Sequence, residues 1–171
     1  MTILRDKIRT QGPLTIADYM ALALTHPEHG YYCTHDPFGV RGDFITAPEI
    51  SQIFGEMVGV WCAQTWAQLG GGPISLVELG PGRGTLMADI LRATRHVAGF
   101  HDALTLHMLE ASPTLAHAQY QRLRDLHPRM EWIDRLEELP PARTLVIANE
   151  FFDALPIRQY VMTSEGLRER R

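Results

Sequence analysis

A glycine-rich stretch near the middle of the chain carries the residues best suited to bind a ligand. It runs from Glu78 to Gly84, with glycine at positions 80, 82 and 84, and it follows the apolar run Ile74–Leu79. Glycine lets the backbone turn sharply and lets a ligand approach closely, which a Cβ would prevent. A helix predicted to begin at Thr85 would point its N–H groups and positive dipole end at the same place. The pattern therefore predicts a nucleotide-binding turn.

The spacing of the glycines separates two classes of cofactor. The nicotinamide fingerprint is G-x-G-x-x-G, and counted from Gly80 its third glycine would fall on Thr85. The pattern present is Glu-x-Gly-x-Gly-x-Gly, which resembles motif I of the class I S-adenosylmethionine-dependent methyltransferases. In that family the acid anchors the methionine end of the cofactor, and the glycines pass close to the chain that bears the sulfonium. The resemblance implies S-adenosylmethionine as the cofactor and predicts these binding residues: Glu78, Gly80, Pro81, Gly82 and Gly84.

Further polar side chains follow the later predicted strands. Glu110 ends the second strand, where a carboxylate can accept hydrogen bonds from both ribose hydroxyls. Asp134 follows the third strand and resembles the family's adenine-contacting acid, with a surface aspartate or a helix cap as the alternative. Both are predicted to bind the cofactor.

Asn149 and Glu150 follow the fourth predicted strand, where class I methyltransferases hold the acceptor atom near the methyl group. Methyl transfer from a sulfonium needs mainly a well-positioned nucleophile. Asn149 is therefore predicted to hold an amine or guanidinium through its amide oxygen, and Glu150 to pair with a cationic acceptor. The alternative is a structural turn with Phe151 and Phe152 in the core.

Strands and helices alternate from residue 73 onward. The predicted strands are Ile74–Leu79, Thr105–Leu109, Glu131–Ile133, Leu145–Ala148 and Ile157–Met162. Helices are predicted from Thr85 to about Arg95 and from Pro113 to about Leu126. Such alternation is typical of a doubly wound α/β fold with a parallel sheet. Residues 73–171 are thus predicted to form a Rossmann-like methyltransferase domain.

Residues 1–72 are predicted to be a helical segment that packs on this domain. Thr15 can cap a helix that ends near Thr25, and a loop should follow from His26 to Gly42. A long helix is predicted to begin near Pro48 and to end at the run of glycines from position 70. The apolar residues at helical spacing that should mark its buried face are Ile50, Ile53, Phe54, Met57 and Trp61.

Composition excludes several classes of protein. The chain has 171 residues, 45% of them hydrophobic, and a net charge of −4, without the basic face that nucleic-acid binding requires. No stretch reaches the roughly 20 apolar residues of a membrane span, and the scattered histidines and two cysteines predict no metal site. These features favour a bacterial cytoplasmic location, and a mitochondrial one only if a transit peptide belongs to the chain.

Four motifs in order indicate a narrower family. They are Gly30-Tyr31-Tyr32, the segment from Gly42 to Glu56, the turn from Glu78 to Gly84, and the segment from Asn149 to Pro156. Together they resemble the MidA-like methyltransferases, relatives of the mitochondrial complex I assembly methyltransferase. The resemblance implies a protein-arginine methyltransferase, whose mitochondrial members act on a subunit of the respiratory NADH dehydrogenase. It also places the Gly42–Gln52 segment beside the cofactor pocket and makes Gln52 a candidate binding residue.

The chain ends soon after its fifth predicted strand, whereas members of that family continue further. The methyltransferase sheet would then lack its last strands, and an exposed sheet edge would favour a homodimer. Two alternatives to the enzyme stay open: a non-catalytic assembly module that retains the nucleotide fold, and a nicotinamide-dependent oxidoreductase.

Overall fold

The structure, a computed structural model, describes residues 2–34 and 46–171. Its helices are α1 (Thr2–Gln11), α2 (Ile16–Thr25), α3 (Tyr31–Thr34), α4 (Ala47–Ile50), α5 (Gln52–Gln68), α6 (Thr85–Thr94), α7 (Phe100–Ala103) and α8 (Pro113–Leu123). Its strands are β1 (Ile74–Leu79), β2 (Leu104–Leu109), β3 (Met130–Ile133), β4 (Thr144–Ile147), β5 (Tyr160–Thr163) and β6 (Gly166–Glu169). The 3₁₀ turns Leu136–Glu138 and Phe152–Ala154 flank β4 in the sequence.

The predicted parallel sheet is confirmed, with the strand order β3-β2-β1-β4. β1 lies between β2 and β4, so that Glu78 pairs in register with Met108 on one side and Ile147 on the other. The chain moves outward from β1 to β3 and then crosses to the opposite side of β1. This reversal makes the carboxyl ends of β1 and β4 the switch point, where open α/β sheets bind their ligands.

One face of the sheet forms the main core together with α5 and α6. Because side chains alternate across a strand, Leu76, Leu106, Met108 and Leu145 lie on the same face, and all are buried. Residues of α6 such as Ile90 pack against them. Each large aliphatic side chain buried in this way contributes about 1.5–3 kcal/mol.

The long helix predicted from Pro48 is two helices in the structure. Ser51 has extended backbone angles, φ −145° and ψ 119°, so α4 ends there and α5 begins at the next residue. The predicted buried face is also largely wrong. Ile50, Ile53, Met57 and Trp61 are each more than half exposed, and Phe54 alone of that set packs against the core.

Small residues form the buried face of α5 instead. They are Gly55, Gly59, Cys62 and Ala63. A Cβ added to Gly59 would lie 3.0 Å from the Cα of Ile90, so the backbones of α5 and α6 approach closely at this point. Close approach of the backbones, and not hydrophobicity alone, therefore decides which face of α5 is buried.

Residues Met1–Pro37 and Phe152–Arg171 form one compact unit, and Phe38–Phe151 form the other. In the first unit Thr15 caps α2 by accepting a hydrogen bond from the Asp18 N–H, as predicted. Part of the predicted loop after His26 is the short helix α3, and residues 35–42 of that loop lie outside the described residues. The division of the chain at residue 72 stays a prediction.

The fifth predicted strand does not extend the parallel sheet. β5 pairs antiparallel with β6 in a separate two-stranded sheet, with Thr163 opposite Gly166. Gly166 has φ 104°, so the glycine permits a tight local turn that pairs β5 with the segment following it. The prediction of a fifth parallel strand was wrong for this reason. Among the helices that the structure describes, none is both long and apolar enough to cross a membrane.

Candidate functional site

A cleft lies at the carboxyl ends of β1 and β4, at the switch point of the sheet. It encloses about 440 Å³, part of which is open to solvent. The lining residues are Thr46, Pro48, Glu49, Glu78, Gly80, Pro81, Gly82, Arg83, Thr85, Leu86, Asn149 and Glu150.

The glycine-rich turn forms the floor of the cleft between β1 and α6. Gly80, Gly82 and Gly84 have φ values of 63°, 54° and 74°, in the left-handed region that favours glycine. A Cβ at Gly80 would also lie 2.7 Å from Cδ2 of Phe151. The turn therefore needs glycine both for its backbone angles and for the space beside Phe151.

Glu78 places a buried carboxyl group at the start of this turn. Only 3% of the residue is exposed, and the backbone N–H of Met87, in the first turn of α6, donates a hydrogen bond to it. Among the described residues, Oε2 of Glu78 has no hydrogen-bond partner. Burial raises the pKa of this carboxyl to about 8, against the lowering effect of the Met87 N–H. A cationic donor in the cleft would satisfy the remaining oxygen.

Glu110 lies beside the turn, at the end of β2, although it does not line the cleft. The Gly80 N–H donates to the carbonyl of Leu109 at 3.0 Å, which fixes the two strand ends together. Oε1 of Glu110 accepts from the Ser112 N–H at 2.9 Å, and Oε2 accepts from Nε2 of Gln119 at 3.0 Å. Burial raises the pKa of Glu110, and these hydrogen bonds oppose the rise.

The end of β4 brings Asn149 and Glu150 to the same cleft. Asn149 is half-buried and Glu150 is exposed. Glu150 has φ 48°, in the left-handed region that non-glycine residues rarely adopt. Such residues often lie at functional sites, where the surrounding structure holds them. The backbone therefore turns Glu150 toward the cleft at a conformational cost.

Glu49 and Thr85 line the cleft and were missed by the sequence analysis as individual site residues. Thr85 Oγ1 donates a 2.6 Å hydrogen bond to Oε1 of Glu49, which ties α4 to the beginning of α6. Nη1 of Arg122 donates to Thr85 Oγ1 as well. Their positions in the sequence could have identified them. Glu49 lies in the segment that the family resemblance placed beside the pocket, and Thr85 follows the last glycine of the turn.

Three predicted binding residues besides Glu110 do not line the cleft. Gly84 caps α6 and packs against Gln119. Asp134 is exposed just after β3. Gln52 donates from Nε2 to Oε1 of Glu56 at 2.5 Å, along the surface of α5. Their roles in binding a cofactor stay predictions.

The charges around the cleft favour a cationic ligand. Within the described ranges, its lining holds three carboxyl groups, those of Glu49, Glu78 and Glu150, and one guanidinium, that of Arg83. S-adenosylmethionine fits this set because it carries a sulfonium and an ammonium group, and no described residue donates to Oε2 of Glu78. Pairing with a cation would also favour the ionised form of that carboxyl.

Comparison with known proteins points to the same cofactor. Residues 57–171 match the model of a family described as S-adenosyl-L-methionine-dependent methyltransferases. The Drosophila melanogaster protein arginine methyltransferase NDUFAF7 homolog, mitochondrial, is 44% identical over 178 residues, which cover 91% of this chain and 40% of that protein. The Homo sapiens protein arginine methyltransferase NDUFAF7, mitochondrial, is 38% identical over 186 residues, covering 95% of this chain and 42% of that protein.

A solved structure is similar over almost the whole chain. It is a crystal structure from Burkholderia thailandensis with bound S-adenosyl-homocysteine, with a TM-score of 0.77 and 30% sequence identity. The match covers 98% of this chain and 44% of that one. The chain thus spans less than half the length of these relatives.

Proposed function

Since this chain belongs to the family of S-adenosyl-L-methionine-dependent methyltransferases, we propose that it methylates arginine side chains of a protein. The observation that carries the proposal is the cleft itself. A buried carboxyl oxygen of Glu78, to which none of the residues placed in the structure donates, shares one cleft with Asn149 and Glu150 at the end of β4. The first suits the cationic end of the cofactor, and the other two suit a cationic acceptor.

Different residues would bind the methyl donor and the methyl acceptor. Glu78 would hold the ammonium of the methionine end, and the turn from Gly80 to Gly84 would let that chain pass close to the backbone. Glu110, beside the turn, would accept from the ribose hydroxyls. Asp134 and Gln52 stay candidates for further contacts to the cofactor.

Asn149 and Glu150 would position the guanidinium of the acceptor. The sulfonium supplies an activated methyl group when the cofactor is bound. With the cofactor bound, the acceptor nitrogen would gain the methyl group as the carbon–sulfur bond broke, the electron pair of that bond would stay on sulfur, and the nitrogen would release a proton to solvent. Glu150 pairs with the guanidinium, and the Asn149 amide oxygen accepts from its N–H groups. Holding the nitrogen in line is the main contribution required of the protein.

The names of the relatives support an arginine acceptor, because both curated relatives are called protein arginine methyltransferases. A subunit of the respiratory NADH dehydrogenase is the acceptor protein implied by the family resemblance. A homodimer through the edge of β4 and a cytoplasmic location are further parts of the proposal. In the described part of the chain, β4 is an end strand of its sheet.

Isothermal titration tests the cofactor first, with S-adenosylmethionine, S-adenosylhomocysteine and NADH as ligands. We expect the first two to bind and NADH not to bind. Binding of NADH alone would favour the oxidoreductase, and binding of none would favour the non-catalytic module.

Transfer of a labelled methyl group to arginine-containing and lysine-containing proteins tests the acceptor. Label recovered on arginine supports the proposal, and label on lysine alone contradicts it. Glu150→Gln should reduce the transfer at least tenfold, since a charge-assisted hydrogen bond contributes roughly 1.5–3 kcal/mol. Glu138→Gln is the matched control, because Glu138 is exposed on the turn Leu136–Glu138 and does not line the cleft. Equal loss in both variants would remove Glu150 from the site.

A further inference from the structure

Gln119 places an uncharged polar side chain in the interior, on α8. The residue is 0% exposed. Burying an amide without hydrogen bonds costs roughly 1–3 kcal/mol. The hydrogen-bond partners of Gln119 therefore indicate its role. Sequence analysis gives it no role, because a glutamine in a helix is ordinarily a surface residue.

The amide of Gln119 makes three hydrogen bonds. Nε2 donates to the carbonyl of Gly82 at 2.7 Å and to Oε2 of Glu110 at 3.0 Å. Oε1 accepts from Nε1 of Trp132 at 2.7 Å. One side chain therefore connects the glycine-rich turn, the carboxylate at the end of β2 and the indole of β3.

The chemistry of these partners fixes the orientation of the amide. An indole N–H can only donate, so it must face the amide oxygen. A carbonyl and a carboxylate accept, so they must face the two N–H groups of Nε2. Rotating the amide by half a turn would break all three bonds. Gln119 consequently presents its two donors to Gly82 and Glu110 in one arrangement.

The helix that carries Gln119 also packs beside the turn. A Cβ added to Gly84 would lie 3.4 Å from Cγ of Gln119 and 3.5 Å from its Cα, which is ordinary van der Waals distance. The turn and α8 are therefore neighbours, and the two donors of Gln119 link Gly82 to Glu110 across them.

We infer that Gln119 is a positioning residue for the ribose of the cofactor, acting through Glu110. This inference rests on the proposed function, since it concerns the same cofactor site. Glu110 has to accept from the ribose hydroxyls, which requires an ionised carboxylate aimed beside the turn. The Gln119 N–H donates to Oε2 and the Ser112 N–H to Oε1, and the Ala111 N–H donates to the carboxylate as well. A carboxylate has about four lone-pair sites, so these three donors leave it able to accept from a ribose hydroxyl. Without Gln119, the carboxylate would lose the contact that ties it to Gly82.

Comparing the affinities for two ligands distinguishes a role in positioning the ribose from a general loss of structure. They are S-adenosylhomocysteine and its 2′-deoxy analogue, which lacks one ribose hydroxyl. The unsubstituted chain should bind the former about tenfold more tightly, the loss expected for one hydrogen bond to a charged group. In Gln119→Leu this ratio should fall to about threefold or less, because affinity for S-adenosylhomocysteine drops while that for the analogue changes little.

Gln119→Met is the second variant, and it guards against a failure of the leucine variant to fold. It keeps the length of the side chain, offers Trp132 the weak acceptor of a thioether, and removes both N–H donors without placing a second carboxyl beside Glu110. Gln121→Leu is the matched control, since Gln121 is exposed on the same helix, and it should leave the ratio unchanged.

The outcomes are distinct. A reduced ratio in the folded Gln119 variants supports the inference. An unchanged ratio, an equal loss for both ligands, or failure of both variants to fold would overturn it and leave Gln119 a purely structural residue. If the unsubstituted chain binds neither ligand, the proposed function itself fails, and that result is separate from any effect of the variants.

Discussion

Gly55 on α5 and Asp89 on α6 lie so close together that a Cβ built on Gly55 would be 2.5 Å from the Cβ of Asp89. Asp89 is buried at this crossing, and burial raises its pKa although Arg92 pairs with it. The contact explains why small residues occupy the inner face of α5. It also fixes α5 against the helix whose first turn borders the cleft.

Replacing Gly55 by alanine should therefore destabilise the protein. Alanine improves helix propensity by about 1 kcal/mol, but a forced overlap in a packed interface typically costs 1–3 kcal/mol. We expect a net loss of up to about 2 kcal/mol in the free energy of unfolding, measured by urea denaturation. Gly12→Ala gives the comparison for backbone strain without overlap, because among the described residues a Cβ there meets no atom within 4 Å while its φ of 82° alone strains alanine. A stabilised Gly55→Ala variant would contradict the close crossing.

Gly80→Ala and Gly70→Ala form a second matched pair. Both glycines have positive φ, 63° and 87°, so alanine is strained at either position by about 1 kcal/mol. At Gly70 a Cβ has open space, whereas at Gly80 it would meet Phe151 at 2.7 Å. We expect thermal unfolding to show a larger loss for Gly80→Ala, by about 1–2 kcal/mol, with loss of S-adenosylhomocysteine binding in that variant alone. Equal losses would show that Phe151 moves aside freely.

The raised pKa of Glu78 predicts how stability depends on pH. The folded-state pKa is about 8 and the ordinary value is 4.5, so the folded protein holds a proton that the unfolded chain releases between these values. The stability contributed by Glu78 is complete below pH 4.5 and is lost as the pH rises through 8. Glu78→Gln should match the unsubstituted chain near pH 4 and exceed it by a few kcal/mol near pH 8. Urea denaturation across this range measures the difference, and parallel pH profiles would disprove the shift.

The same carboxyl predicts that cofactor binding releases a proton. A cation paired with Glu78 favours its ionised form, so at pH 7 the bound complex holds fewer protons than its separate parts. Affinity for S-adenosylmethionine should therefore rise between pH 6 and 8. Titrations at pH 7 in buffers of different ionisation enthalpy count the released proton directly. Glu78→Gln should bind more weakly and release none, and equal release in both would assign the proton to another group.

Glu150 has a strained backbone conformation, and its side chain lines the cleft. Glycine or asparagine adopts φ near 48° more readily than glutamate does. Glu150→Gly and Glu150→Asn should keep the stability of the protein or raise it by up to about 1 kcal/mol, and both should lose methyl transfer. Thermal unfolding and the methyl-transfer assay measure the two effects separately. A destabilised Glu150→Gly variant would mean that the glutamate side chain supports the fold.

The sequence predicts the central architecture well because its signals there are local. Short strand-like runs gave β1 to β4 close to their observed bounds, and the glycine-rich turn lies where the strand–turn–helix pattern put it. Asn149 and Glu150 reach the same cleft as Glu78 because parallel strands end at one edge of a sheet.

The errors arise where contacts between distant residues decide the outcome. The buried face of α5 depends on the close approach of α6, so Trp61 and Met57 are exposed although they are large and apolar. β5 pairs with β6 through a local turn and not with β4. Gln119 was missed because its partner Gly82 lies 37 residues away, and no local pattern marks such a contact.

β1 lies at the centre of the sheet, and this position determines how ordered the site is before a ligand binds. All six residues of β1 are buried, and the strand is paired on both sides. Strands of this kind open only with the whole fold, so their amide hydrogens are the slowest to exchange with solvent. The turn that begins at Gly80 follows this strand directly in the chain. Its shape is therefore set before any ligand arrives, and little of the binding free energy has to be spent on ordering it.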